Sequence, residues 1–303
     1  MSATGGVRFH KLEGGGNDFV LIDGRSAEVA IPSASRIRAL LDRNRGVGGD
    51  GLLWLGTSSA GEIGVRYWNA DGGAAAYCGN GARCVARYLF ATVRRREISF
   101  RFGRARLLAR CADPQGRRDA EPAALRIALL TARPTERPLP DLLPPMPSRA
   151  QGRIGPPAFY DAGVPHWIVP VADTTRLELA RWAPAIRSWA PLGPGGTNVD
   201  FVARQGVQVQ VRTWERGVEG ETLACGSGLL ATAVWAARHY GQRFPLDLRS
   251  RGGDLFRVYE EDREQGGTAT RGGNRLWLEG PARLVFSGTV ALSQSLVSGR
   301  RRR

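Results

Sequence analysis

The chain has 303 residues, 42% hydrophobic and 23% charged, with a formal net charge of +15. That is room for two globular domains at the usual ~150 residues each, and no apolar run approaches the ~20 residues of a membrane span. Lys11 is the sole lysine and the other cations are arginines scattered through every segment, a pattern that predicts weak, salt-sensitive adsorption to polyanions and no specific nucleic-acid partner.

In chain order, Val7–Leu12 and Phe19–Asp23 read as strands. Residues 33–44 read as a helix, with Ile37, Leu40 and Leu41 on one face at i, i+3, i+4. Strands are predicted at Leu52–Leu55 and Ile63–Trp68, then a helix from Cys78 to about Val93. Ile98–Phe102, Ala105–Cys111 and Leu125–Leu130 follow as strands. Eight prolines between Arg133 and Pro157 predict a stiff linker. The order then resumes: strands at Ala158–Tyr160 and Trp167–Val171, a short helix at Thr175–Trp182, a strand at Val207–Trp214, and a helix from Cys225 to about Tyr240. Strands at Asp254–Glu260 and Arg275–Leu278 flank a glycine-rich loop, Gly266–Gly273, and Arg283–Phe286 is a last strand after Gly280-Pro281. The expected organisation is a first half over residues 7–131, a linker at 132–157, a second half over 158–280, a return strand near 281–290 and a basic tail from 291 to 303. The fold class is α+β, strands around one central helix, in duplicate.

The duplication is written in the residues. Val65-Arg66-x-Trp68 precedes Cys78-Gly79-Asn80-Gly81; Val211-Arg212-x-Trp214 precedes Cys225-Gly226-Ser227-Gly228, 146 to 147 positions later. Gly16-Asn17-Asp18-Phe19 and Gly163-Val164-Pro165-His166 stand at the same offset. A thiol at a helix mouth feels the partial positive charge of unpaired N–H groups, which lowers its pKa, and the same N–H groups suit a carboxylate. Two such thiols facing one pocket suit removal of a proton from one face of a carbon and its return on the other. A catalytic disulfide between Cys78 and Cys225 is the rival reading. Cys84 and Cys111 read as core residues.

Other chemistries are poorly supplied. Gly46-Val47-Gly48-Gly49-Asp50-Gly51 matches G-x-G-x-x-G, but a helix precedes it and a strand follows, the reverse of a dinucleotide site. With His10, His166 and His239 the only histidines and no Cys-x-x-Cys, no metal is expected. Lys11 is the only candidate for a Schiff base, so no pyridoxal phosphate is expected. Four scattered cysteines and an N-terminus without a secretory stretch predict free thiols in the cytoplasm.

These stretches, with Trp68-Asn69-Ala70-Asp71-Gly72, Gly196-Thr197-Asn198-Val199 and Glu215-Arg216-Gly217, resemble the diaminopimelate epimerase family over about residues 8 to 290. The resemblance implies two domains, each a curved, mostly antiparallel sheet around a central helix, and epimerisation of LL- to meso-diaminopimelate without a cofactor. It implies Cys78 and Cys225 as the acid/base pair, and substrate contacts from Asn17, Asn69, Gly79, Asn80, His166, Asn198, Glu215, Arg216, Gly226 and Ser227. A homodimer is implied as well. Val164 stands where the family usually has Asn, and the Glu215–Thr222 loop is one residue longer than its commonest form, so a related racemase for another amino acid is the alternative.

Overall fold

The computed structural model describes residues 6–25, 30–58, 61–92, 95–112, 125–148, 152–260 and 275–291. The glycine-rich loop at 266–273 and the basic tail beyond 291 lie outside them. The chain divides into two compact units, one of residues up to Leu107 together with Arg283 onward, the other from Leu108 to Ala282 apart from a short stretch in the undescribed 113–124 region.

In the first unit, β1 (Val7–Gly14) and β2 (Asn17–Asp23) form a hairpin. The chain crosses through α1 (Ala34–Leu41) to β3 (Gly51–Thr57), which lies parallel to β2. β3 and β4 (Ile63–Asn69) form a second hairpin, extended by β5 (Ala74–Ala75). A second crossover, through α2 (Gly79–Thr92), reaches β6 (Glu97–Phe102), parallel to β4. Residues 283–290, the end of the last strand, pair with β1. Ile37, Leu40 and Leu41 of α1 pack on Val20, Ile22, Leu52 and Trp54. β2 and β3 are buried in unbroken runs, and β1 and β2 also meet α2.

The second unit repeats that path. β7 (Ala105–Cys111) enters it and pairs with β8 (Leu125–Ala132), and β9 (Thr135–Arg137) pairs with β10 (Ala158–Asp161). β10 and β11 (Pro165–Pro170) form a hairpin, and α3 (Leu179–Arg187) leads to β12 (Asn198–Gln205), parallel to β11. β12 and β13 (Gln208–Glu215) form the next hairpin, with β14 (Gly220–Thr222) beside it. α4 (Gly226–His239) crosses to β15 (Leu246–Arg249), parallel to β13. β16 (Leu255–Glu260) and the first half of β17 (Arg275–Val290) complete the sheet. Leu229, Leu230, Ala231, Ala233, Trp235 and Ala236 of α4 are all buried among β10–β16 residues such as Ile168, Val202, Val211 and Phe256. A helix apolar on nearly every side is what a sheet curling around it requires.

Five expectations are corrected. The first helix stops at Leu41, because Asp42 turns extended and its side chain takes the N–H groups of Asn44 and Arg45. The short helix lies at Leu179–Arg187, not Thr175–Trp182: Asp173 holds Thr175 in a turn, and the stripe that packs is Leu179, Ala183, Ile186. The proline-rich stretch is more than a linker; it carries β9, its Met146 packs on Trp167, and Arg153 bridges to Val171. Residues 108–112 and 125–131 fall in the second unit, not the first. The two final strands are one, running through Gly280-Pro281 as its neighbours change from β8 and β16 to β1. β12 was not predicted at all.

Candidate active site

In the first unit Cys78 immediately precedes α2. The first intrahelical bond runs from Ala82 N–H to the Cys78 carbonyl at 2.8 Å, which makes Cys78 the N-cap. Its Sγ accepts the Gly81 N–H at 3.4 Å, the bond a Ser or Asp cap would make. The N–H groups of Gly79 and Asn80 also precede the first intrahelical bond. The Asn80 side chain donates to Asn17 Oδ1 at 2.7 Å and accepts from the buried Arg83. Asn17 in turn donates to Asp50 Oδ2 at 2.9 Å. Beneath it, Lys11 pairs with Asp18 at 2.6 Å, and Arg43 bridges Asp18 and Asp50 at 2.7 Å each. The glycine turn rejected as a dinucleotide site supports this network: the Gly48 carbonyl accepts from Lys11. Asn69 ends β4, where its backbone closes the turn to Gly73.

In the second unit Cys225 caps α4, with Leu229 N–H on its carbonyl at 2.9 Å. Its Sγ lies 3.4 Å from Ser227 Oγ. Burial pushes the thiol well up from its ordinary value, the Glu215 and Asp200 carboxylates add to that, and Ser227 and the Gly228 N–H pull it back. Burial likewise raises Glu215. His166 Nε2 is 2.9 Å from Ser227 Oγ, and its Nδ1 is 2.7 Å from Asp200 Oδ2. Asp200 Oδ1 accepts from Thr213 at 2.7 Å. Asn198 donates to the Pro165 carbonyl at 3.0 Å and accepts the Arg216 N–H at 2.8 Å. Among the described residues the Arg216 guanidinium bonds to the Gly195 carbonyl, at 3.5 Å.

Thus Cys78, Asn80 and Asn17 come together in one unit, and Cys225, Ser227, His166, Asn198 and the Arg216 backbone in the other. Asn69 lies on a separate turn of the first unit. None of the four cysteines forms a disulfide; Cys84 is fully buried and its thiol is pushed up by that burial, as suits a core residue. Sequence reasoning missed Asp50, Asp200 and Thr213. The repeat itself held the signal for the last two, because they stand where Leu53 and Tyr67 stand in the first half.

The model of the family described as diaminopimelate epimerase matches residues 9–115 and 158–277. The chain belongs to that family. A diaminopimelate epimerase of Gemmatimonas aurantiaca is 34% identical over 94% of this chain and 99% of its own length. One of Methanothrix thermoacetophila is also 34% identical, over 94% and 96%. The fold extends more widely. A phenazine biosynthesis protein of the PhzF family from Bacillus anthracis matches with a TM-score of 0.66 at 13% identity, covering 94% of this chain and 98% of its own. A hydroxyproline epimerase from Agrobacterium vitis matches with a TM-score of 0.60 at 15% identity, covering 98% and 95%. For family members as a group, the matched ranges take in both Cys-Gly-x-Gly sites and leave out residues 116–157.

Proposed function

We infer that this chain is an isomerase that epimerises LL-diaminopimelate to the meso form, a step of lysine precursor synthesis. Full-length similarity to curated diaminopimelate epimerases supports the substrate, and the alternative of another amino-acid racemase gains no support from them. One observation carries the chemistry: each unit caps its central helix with a cysteine whose sulfur lies at the N-terminal N–H groups.

Inversion at Cα needs a base on one face and an acid on the other, roles assigned to Cys78 and Cys225. The Cα proton is very weakly acidic, and its loss drives negative charge onto the neighbouring carboxylate. Backbone N–H groups of Gly79, Asn80, Gly226 and Ser227 are the donors assigned to that charge. Preorganised donors of this kind are worth a few kcal/mol each, about 3 for one in a known case. Arg216 suits the distal carboxylate, since a guanidinium forks two oxygens, and Glu215 and Asn198 suit ammonium groups. Burial pushes the Cys225 thiol up, so its ionisation calls for an environment that the carboxylate and ammonium groups of the substrate would complete. Cytoplasm is the proposed location and a homodimer the proposed assembly; the first rests on the free thiols and the second on family resemblance. No helix among the described residues is long and apolar enough to cross a membrane.

The test is deuterium wash-in at Cα of LL-diaminopimelate together with net conversion to the meso form. Cys78→Ala and Cys225→Ala are each expected to lose about 10²–10⁴-fold in turnover. Wild-type exchange in both variants would refute the two-thiol mechanism. Turnover confined to an amino acid with a single carboxylate would reassign the substrate.

A further inference from the structure

The duplicated fold supplies an internal control for the polar cluster beside Cys225. Phe19, Leu53 and Tyr67 of the first unit stand 146 to 147 positions before His166, Asp200 and Thr213. The strand registers agree: Leu53 pairs with Tyr67 across β3–β4, and Asp200 with Thr213 across β12–β13. The surroundings agree too. A Cβ on Gly81 would meet Leu53 and Phe19, whereas one on Gly228 would meet Asp200 and Thr213. The third residue of each central helix therefore rests on the same position of the sheet, Leu53 in one unit and Asp200 in the other. Phe19 and Leu53 are fully buried, and so are His166 and Asp200. The fold is satisfied by hydrocarbon there, and burying an imidazole beside a carboxylate costs more than burying a phenyl ring beside a leucine.

The hydrogen bonds give the polar trio a direction. Asn198 is held by two backbone partners that fix its amide, with Nδ2 on the Pro165 carbonyl and Oδ1 on the Arg216 N–H. That Nδ2 lies 3.4 Å from His166 Nε2, so Nε2 faces a donor and presents its lone pair. A carboxylate only accepts, so Nδ1–H donates to Asp200. Ser227 O–H then donates to Nε2, and the Cys225 thiol donates to Ser227 Oγ.

We propose that Asp200 is a positioning residue for epimerisation, acting through His166 and Ser227 as a relay that takes the proton of Cys225 and so makes its thiolate. The Cys225 S–H bond breaks and its proton forms a new O–H on Ser227, while the original Ser227 proton moves to His166 Nε2. The electron pair stays on sulfur, now accepting from Ser227 O–H, and the new imidazolium pairs with Asp200. Reversal returns the proton to sulfur. This inference rests on the assignment of Cys225 to proton transfer. Beside Cys78 the position matching Ser227 is Asn80, whose side chain bonds to Asn17 and Arg83.

Among the described residues, Glu215 and Asp200 act on Cys225 directly, and His166 reaches it through Ser227. Their signs make the experiment decisive. Asp200 repels a thiolate through space, so removing its charge would ease ionisation of Cys225 if it acted only as a nearby charge. The relay demands the opposite. Alkylation by iodoacetamide, mapped to each cysteine by mass spectrometry across pH, reads this in the full chain. Asp200→Asn and Ser227→Ala are each expected to raise the pH of half-maximal Cys225 alkylation by about one unit, a tenfold slower reaction at neutral pH, while Cys78 is unmoved. Ser227→Thr, which keeps the hydroxyl, should restore the wild-type profile. Turnover should fall about 10- to 100-fold with KM little changed. A Cys225 profile unchanged or shifted down in Asp200→Asn overturns the proposal. If that variant does not fold, an unchanged profile in Ser227→Ala does so. Wild-type protein that alkylates as described yet does not epimerise diaminopimelate removes the functional reading and leaves the relay standing.

Discussion

Gly228 lies directly against the carboxylate of Asp200: a Cβ there would overlap Asp200 Oδ1 and come within 3.1 Å of Thr213 Oγ1. Asp200 is fully buried and held on both oxygens, so it has nowhere to move. Gly228→Ala is expected to destabilise the protein by about 1–3 kcal/mol, as overpacking does. The matching Gly81→Ala meets Leu53, the Cys78 Cβ and Phe19, at 3.2, 3.5 and 3.5 Å. There the helical preference for Ala over Gly, worth up to ~1 kcal/mol, offsets the crowding, and stability should stay within about 1 kcal/mol of wild type. Urea unfolding of the two variants checks the contrast; equal losses would remove the claim that Asp200 makes the difference.

Lys11 is the sole lysine and is 7% exposed, tied to Asp18 and the Gly48 carbonyl. An amine-acylating reagent should therefore modify the native side chain at least about 10³-fold more slowly than the unfolded one, since reaction waits on opening of the unit. Peptide mapping over a urea series measures it, with Lys11 acylation rising only through the unfolding transition. Rapid labelling of native protein at Lys11 would contradict the burial.

Asp18 contributes to the acid sensitivity of the first unit. Burial works to raise its pKa, but hydrogen bonds from Arg43 and Lys11 outweigh that and hold it at about 2. Its folded value lies below the unfolded one, so its contribution is fully present above about pH 4 and fades as pH falls toward 2. With the side chain partly exposed, the contribution is about 1–2 kcal/mol after screening. Asp18→Asn should lose that much at pH 7 and should lose less further stability than wild type between pH 4 and 2. Parallel acid limbs in denaturation curves of the two proteins would rule the pairing out as the cause.

Asn198 joins the β11 and β13 ends through Pro165 and Arg216. Asn198→Ala would free the Arg216 backbone and leave the Pro165 carbonyl without that donor. KM for diaminopimelate is expected to rise about tenfold, with a larger rise, near 10²-fold, in Arg216→Met if its guanidinium binds the distal carboxylate. Steady-state kinetics with diaminopimelate decides this. An unchanged KM in Arg216→Met removes Arg216 from substrate recognition.

Strands exposed on one face were among the legible elements. β7, β13 and β16 alternate, and their limits were readable within a residue or so. β12 was invisible because its first six residues are all buried, one face on α3 through Val199, Phe201 and Ala203, the other on α4 through Val202. A strand covered on both sides loses the two-residue period. The same double burial concealed Asp200, which looked like one polar residue in an apolar run. α3 was misplaced because Pro184 falls inside it, a residue that ordinarily argues against a helix interior.

By itself the sequence determined that the protein is a duplication with a cysteine at the mouth of each central helix, and it named the family. Repeated spacing survives without coordinates because each unit must rebuild the same strand–helix crossovers. What only the tertiary structure decided is how the two halves differ around their thiols. Phe19 and His166, Leu53 and Asp200, Tyr67 and Thr213 are unremarkable substitutions along the chain. They acquire meaning when strand pairing sets each trio beneath a helix N-terminus, where hydrogen bonds between residues as distant as His166 and Ser227 give the polar set its order.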